Sequence, residues 1–396
     1  MFVSSIGQTA AVDTLTADEI LQRTRALGPA IEAAADTIER DRRLPDDLLA
    51  EMRAAGVFRI AFPQAWGGPE MPILQQAELV ETLAYHDASV AWIAMICSDS
   101  GHYAARLDEA VAHELYPDLD LLTSGLLYPV GQARRTEGGW RVTGHWQFGS
   151  GCLHADRIVG GCMVWEGDAP VFGPDGLPEL LVCWLPRDEV TIHDTWHTTG
   201  LAGSGSNDYS VDDAFVPEGQ HFHPFRVGGR TEPLYRYHGF FFANLPAAAI
   251  GCAQRMLDDL RDLAVTKMSM PAMTMMKDEY RVQVTFAECT ARVDAARAYQ
   301  DATLASIWAT LVAGDEPTAE QRAAIALMSV HAIRTAHEVA EAVCEVVGGQ
   351  AIYRTSPFDR RRRDLATIAA HVIGQRKTGT AAAQLLFGDT PTFAFV

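Results

Sequence analysis

Two stretches of this chain carry residues whose types and order could do chemistry. The first is Gly144-His145-Trp146-Gln147-Phe148-Gly149-Ser150-Gly151-Cys152, which sets aromatic rings and a hydroxyl on a strand running into a glycine turn. A planar heteroaromatic cofactor suits it, with Trp146 or Phe148 stacking and the Ser150 hydroxyl or a neighbouring amide hydrogen bonding. The same composition also describes an ordinary sheet core. The second stretch is Leu201-Ala202-Gly203-Ser204-Gly205-Ser206-Asn207-Asp208. Asp208 stands where a dinucleotide fingerprint needs its third glycine, and no βαβ pattern surrounds it, so it reads as a tight loop between strands. Its amides could cradle an anion.

Other chemistries lack their residues. No Gly-Lys-Ser/Thr phosphate loop and no Gly-x-Ser-x-Gly elbow occurs. His221-x-His223 has no third ligand at metal spacing, and His113-Glu114 and His337-Glu338 lack the second histidine of a zinc helix, so no metal is expected. The seven cysteines are scattered, form no CxxC pair and read as buried thiols rather than a disulfide framework.

The elements that must position these residues fall into three blocks, 1–117, 118–228 and 229–396. From Thr16 to about Leu115 the pattern is helical: Ile20, Leu21, Leu27 and Ile31 recur at helical spacing, Leu44-Pro45-Asp46 starts a second helix, and Leu79, Leu83, Val90, Trp92 and Ile93 share a third stretch. After Pro117 come short β-type runs such as Arg157-Ile158-Val159 and Leu180 to Leu185, separated by Gly and Asp clusters, as in an antiparallel sheet or small barrel. Helical periodicity returns from about Pro246, with stretches near Gly251–Val265, Lys277–Leu311 and Thr318–Val347, and a capping box at Thr318 and Gln321. Arg360–Arg363 reads as an ion-paired helix start before a final helix over Asp364–Leu386. The fold class is α+β, one catalytic unit of three packed parts.

A net charge of −19 over 396 residues argues against nucleic-acid or anionic-membrane partners, which need a basic face. Met1-Phe2-Val3-Ser4-Ser5 lacks a basic flank and a long apolar region, and no run of about eighteen apolar residues occurs, so the expectation is a cytoplasmic chain without a membrane span.

Taken in order, four segments resemble the acyl-CoA dehydrogenase superfamily over nearly the whole chain. They are Phe62-Pro63 to Trp66-Gly67-Gly68, Gly144-x-Trp146, Trp196 through Gly200-Leu201 to Asp208, and Gly348-Gly349 through Pro357 to Arg360-x-x-Arg363-Asp364. The resemblance implies a helical N-terminal domain, a central β-barrel or sheet domain and a C-terminal four-helix bundle, in a homotetramer. The departures bear on function. Val372 occupies the place of the glutamate that abstracts a proton from acyl thioesters, Ala202 replaces a motif arginine, and Lys267 is the only positive charge from Val265 through Met276, where the family binds a flavin diphosphate.

Trp146-Gln147-Phe148-Gly149-Ser150-Gly151, His371, Gly349-Gln350-Ala351-Ile352-Tyr353 and Ser356-Pro357-Phe358 are closer to the flavin-dependent monooxygenase branch, and Pro129-Val130-Gly131-Gln132-Ala133 resembles its flavin-side loop. That branch implies reduced FMN, or FAD, from a separate flavin reductase. It also implies O2 and transfer of one oxygen atom through a flavin C4a-hydroperoxide to a small aromatic or polyketide-like substrate. An acyl-thioester dehydrogenase and an N- or S-oxygenase are the alternatives on this scaffold. The implied cofactor residues are Trp146, Phe148, Ser150, Gly151, Tyr128 and Gly131. Ser150 would bond near flavin N5, and His371 would act as base on an acidic hydroxyl or as donor to the peroxide, unless it is a satisfied helix-interface histidine. Trp92 and His102 are the implied substrate residues, His102 lying two positions from Ser100, where many members place a histidine.

Overall fold

The computed structural model describes residues 14–391 apart from 175, 227 and 272. The Met1–Ser5 stretch lies outside the described residues. Seven helices come first: α1 (Ala17–Ala26), α2 (Gly28–Asp41), α3 (Asp46–Ala54), α4 (Ile73–His86), α5 (Ala88–Cys97), α6 (Ser100–Ala104) and α7 (Glu109–Leu115). The stretch holding Leu79 and Ile93, continuous by periodicity, is two helices. Asp87 leaves helical geometry and its carboxylate accepts the amides of Ser89 at 2.8 Å and Val90 at 3.1 Å, starting α5 anew. Every residue of α5 except Ile96 is buried, as befits a helix apolar all round.

Eight strands form one sheet: β1 (Thr123–Thr136), β2 (Gly139–Gly149), β3 (Arg157–Glu166), β4 (Ala169–Pro170), β5 (Leu180–Leu185), β6 (Thr191–His193), β7 (Asn207–Pro217) and β8 (His221–Phe222). Their order is β6-β7-β2-β1-β3-β5-β8, with β4 beside β3; β1 and β3 run parallel and the other pairs antiparallel. Pro129–Ala133, likened above to a loop, is part of β1. The pairing of β1 with β3 shifts between Leu126 and Gly131, and this irregularity accommodates Pro129, which has no amide to donate.

The remaining elements are α8 (Phe240–Ala243), α9 (Leu245–Ala264), a small hairpin of β9 (Met268–Ser269) and β10 (Thr274–Met275), α10 (Tyr280–Val312), α11 (Ala319–Val347), α12 (Pro357–Ala370) and α13 (Arg376–Leu386). The capping box at Thr318 and Gln321 opens α11 as expected. The final helix does not run unbroken from Asp364: α12 starts at Pro357, stops at Ala370, and a 3-10 turn over Val372–Gly374 separates it from α13. That break decides where His371 points.

Helices from both ends of the chain share one core, in which α4 and α5 pack on α9. The sheet has its own, built around Trp146, Tyr209, Val142 and Ile158. The start of α12 is held by ion pairs, as its basic run implies: Arg360 to Glu39 at 2.8 Å, Arg363 to Glu39 and to Asp359 at 2.7 Å each, and Arg361 to Asp259. No helix among the described residues is long and apolar enough to cross a membrane.

Candidate active site

Ser150 lies in the turn that ends β2. Just before it, Phe148 takes a left-handed φ of 62° and leaves its ring 58% exposed. Gly151 has φ 73°, and a Cβ there would sit 2.7 Å from Cys97 Sγ, so only glycine lets this turn abut the end of α5. Ser150 itself is buried. Its Oγ accepts the Trp92 indole N–H at 3.0 Å and lies 2.7 Å from Ser206 Oγ, while its carbonyl accepts from Ser124 Oγ at 2.8 Å.

The hydroxyl chain continues into the glycine cluster. Ser206 Oγ is 2.7 Å from Ser204 Oγ, and Ser204 Oγ donates to the Leu201 carbonyl at 2.8 Å. That carbonyl also accepts the Trp196 indole N–H at 2.9 Å. Leu201 sits at φ 50°, a left-handed conformation that an ordinary side chain rarely adopts; its amide donates to Asp364 Oδ1 at 2.6 Å. Burial, then the neighbouring Asp87 carboxylate, pushes Asp364 up to about 7. The loop, read by composition as a tight turn between strands, is an anchor, tied to α12 at one end and to Ser150 at the other.

His371 closes the site from the opposite side. It ends α12 and caps the 3-10 turn, its Nδ1 accepting the Ile373 amide at 3.4 Å. Burial pushes it down to about 4, so the ring is neutral near pH 7, and with Nδ1 accepting, the ring proton sits on Nε2. The ring stands edge-on to Trp92 at 5.4 Å between centroids and faces Phe242 at 6.5 Å. Trp92 therefore touches Ser150 through its N–H and His371 through its ring. This indole–hydroxyl–imidazole arrangement offers one acceptor and one neutral donor.

Both ends of the chain match family models: residues 18–107 the acyl-CoA dehydrogenase N-terminal domain and residues 244–376 the C-terminal domain. An indole-3-acetate monooxygenase of Pseudomonas putida is 30% identical over 92% of this chain and 95% of its own length. The chain belongs to the acyl-CoA dehydrogenase superfamily, in its flavin-dependent monooxygenase branch. The crystal structure of the HsaA monooxygenase from M. tuberculosis superposes with a TM-score of 0.88 at 26% identity, covering 96% of this chain and all of that one. The oxygenase component of an FADH2-dependent resorcinol hydroxylase from Rhizobium is 26% identical over 94% of this chain and 95% of its own.

Two of the expected cofactor residues, Trp146 and Gly131, serve the sheet core instead. Trp146 does not present its ring to a ligand. It is fully buried in the sheet core, stacked on Tyr209 at 5.3 Å, with its indole N–H donated to the Gly161 carbonyl at 2.8 Å. Gly131 serves that packing too: a Cβ there would lie 2.4 Å from the Trp146 ring, as Cβ atoms on Gly144 and Gly160 would at 2.5 and 2.6 Å. The motif Gly144-x-Trp146 is legible because the backbone must clear a large ring, not because the ring binds a cofactor.

Tyr128 is exposed on the irregular part of β1. His102 lies on α6, away from the indole–hydroxyl contact. Consecutive residues of α8 turn their rings apart: Phe242 toward His371, and Phe241 edge-on to His102 at 5.7 Å. Tyr235 closes the His102 cage at 6.2 Å. Burial, then Arg106, pushes His102 down to about 3, and its Nε2 is buried without a hydrogen-bond partner. Val372, in place of the dehydrogenase base, is a half-buried residue of the 3-10 turn. Among the described residues no group of three metal-ligating side chains assembles. Ser204, Ser206 and Trp196 stand in the sequence motifs without a role of their own, and Phe242 carries no sequence signal.

Proposed function

We propose that this chain is the oxygenase component of a two-component system, taking reduced flavin from a separate reductase and using O2 to hydroxylate a small aromatic substrate. The observation that carries this reading is the neutral His371 at a helix break, edge-on to the indole that bonds Ser150, with apolar Val372 where a dehydrogenase needs a carboxylate. The relatives' names, an indole-3-acetate monooxygenase and a resorcinol hydroxylase component, favour aromatic acceptors.

The residues fit a flavin. Ser150 Oγ accepts one bond from Trp92 and keeps a lone pair for the flavin N5 position, while Phe148, two residues before it, and Tyr128 on β1 have exposed rings. When bound, reduced flavin supplies the electrons that activate dioxygen, and one oxygen atom goes to the substrate. Reduced FMN is the proposed form, with FAD the alternative, because the Lys267 ammonium is donated to the Val347 carbonyl at 2.9 Å and is engaged away from a second phosphate. His371 carries its proton at Nε2 and would offer it as a hydrogen bond to the oxygen being transferred, keeping the proton itself. The Ile373 amide on Nδ1 favours this role over that of a base. His102, with its unpartnered Nε2, and Trp92 are the proposed substrate residues. Ser100 is not free for that task, since its hydroxyl bonds the Cys97 and Leu121 carbonyls and Thr123 at 2.9 to 3.0 Å.

A homotetramer fits the apolar exposure around the β9–β10 hairpin, where Met270 and Met273 are 74% and 58% exposed and Tyr280 nearby is 81% exposed. Seven free, buried thiols fit a reducing cytoplasm. The net charge of −19 fits a small-molecule acceptor rather than nucleic acid.

Supplied with NADH, a flavin reductase, FMN and phenolic or indolic acids, the wild type should form oxygenated product. His371→Ala should keep the fold and flavin binding yet lose about 100-fold or more in product formation, with oxygen diverted to hydrogen peroxide. Wild-type yield from that variant removes His371 from the mechanism. Anaerobic bleaching of bound flavin by acyl thioesters, with no aromatic product, replaces the monooxygenase with a dehydrogenase.

A further inference from the structure

The polarity of the Ser150 hydroxyl follows from counting hydrogens along its chain of neighbours. A hydroxyl has one proton to give and two lone pairs. Ser204 gives its proton to the Leu201 carbonyl, 2.8 Å away, because a carbonyl can only accept. The 2.7 Å contact between Ser204 and Ser206 then takes its proton from Ser206. The 2.7 Å contact between Ser206 and Ser150 must in turn take its proton from Ser150. Ser150 also accepts the Trp92 N–H at 3.0 Å. Its proton is committed away from the site, and one lone pair remains.

The far end of this chain is secured. The Leu201 carbonyl is held by two further donors, the Trp196 indole at 2.9 Å and the Ser204 amide at 3.1 Å, and the Leu201 amide is clamped at 2.6 Å by Asp364 on α12. Gly203 and Gly205 give the loop its course. Gly205 has φ 52°, and a Cβ on Gly203 would lie 2.1 Å from Ile38. All three serines are buried, so water does not compete for their protons.

We infer that Ser204 and Ser206 are positioning residues that lock Ser150 as a hydrogen-bond acceptor, and that this lock makes the site select reduced over oxidised flavin. Reduced flavin carries a proton on N5 and donates there; oxidised flavin carries only a lone pair on N5 and meets the lone pair of Ser150. The first contact is a hydrogen bond, and the second leaves two acceptors facing one another in a buried place. An oxygenase that draws flavin from a pool holding both forms gains by refusing the oxidised one. The inference rests on the proposed placement of Ser150 at N5.

The test is equilibrium binding of FMN, oxidised and anaerobically reduced, to the full-length protein without substrate. The wild type should bind the reduced form at least about tenfold tighter, one unfavourable contact being worth about that factor. Ser206→Ala frees the Ser150 proton to turn toward the site, so the preference should fall by about tenfold, a rise of about 30 mV lost from the bound two-electron couple's separation from free FMN. Ser204→Ala, which lets Ser206 turn its proton back to Ser150 and so frees the Ser150 proton, should give a comparable fall, and Ser206→Thr should keep the wild-type ratio. A merely structural role would weaken both forms equally and leave the ratio unmoved. An unchanged ratio in Ser206→Ala overturns the inference, as does a wild type that binds both forms equally while still hydroxylating aromatics. Failure of the wild type to bind either form overturns the proposed function and this inference with it.

Discussion

The Trp146–Tyr209 pair in the sheet and the two histidines that meet the rings of α8 are polar aromatic side chains that the fold treats differently. In the sheet, Trp146 gives its N–H to Gly161, and Tyr209 donates to the Val159 carbonyl at 2.7 Å while accepting the Leu126 amide at 2.7 Å. Each is satisfied by the chain itself. At α8, His102 is equally buried, yet its Nε2 has no partner, while the half-buried His371 uses its Nδ1 to accept the Ile373 amide. A satisfied polar group adds to the scaffold, and an unsatisfied buried one costs stability, as His102 Nε2 does here and Trp140 Nε1 does at the sheet core. That contrast puts Trp146, though part of a family motif, in the frame, and makes His102 and His371 the residues to test for a part in the chemistry.

The contrast breaks first at Trp146. Trp146→Ala should cost about 3–5 kcal/mol of stability, leaving a cavity and an unpaired Gly161 carbonyl, read as a large fall in urea midpoint. Near-wild-type stability with selective loss of flavin affinity would return Trp146 to the cofactor site.

Acid tests the buried histidines together. The folded values of His371 and His154 are about 4 and that of His102 about 3, all below the ordinary 6.5 and all chiefly through burial. As pH falls, the unfolded chain takes up these protons first. Stability should therefore be complete above pH 6.5 and be lost progressively between 6.5 and 4, by about 3 kcal/mol for His371 alone. Urea denaturation across that window measures it; a flat profile would mean the rings are solvated in the native state.

The smallest effect sharpens the comparison. His102→Leu removes an orphaned polar atom, so stability should hold or rise by about 1 kcal/mol, while the KM for a hydroxylated aromatic rises more than kcat falls. His154→Leu is the control. His154 accepts the Leu44 amide at 3.1 Å, and its loss should lower stability without touching KM.

Much of the fold could be read along the chain because the signals are local. Apolar spacing marks helices, Thr318 and Gln321 announce α11, and the ordered motifs from Pro63 to Asp364 identify the family. The two helix misreadings share one cause. The continuous helices expected through Asp87 and through His371 are broken by capping bonds, and apolar spacing does not register a cap that interrupts it. Trp146 looked like a cofactor residue because an aromatic on a strand reads alike whichever face it occupies; a packed sheet had to supply Tyr209, 63 positions away, as its partner.

What the sequence by itself determined is therefore the inventory and its order: three blocks of elements, a serine after a glycine turn, a histidine after a basic helix, and no thioester base at Val372. Only the tertiary structure decided what those groups can do. The proton of Ser150 is committed by Ser206, 56 positions on, and its neighbour Trp92 lies 58 positions back. The protonated nitrogen of His371 is set by a turn that exists because α12 ends there. Hydrogen-bond direction is a property of a network, and a network closes only when distant segments meet.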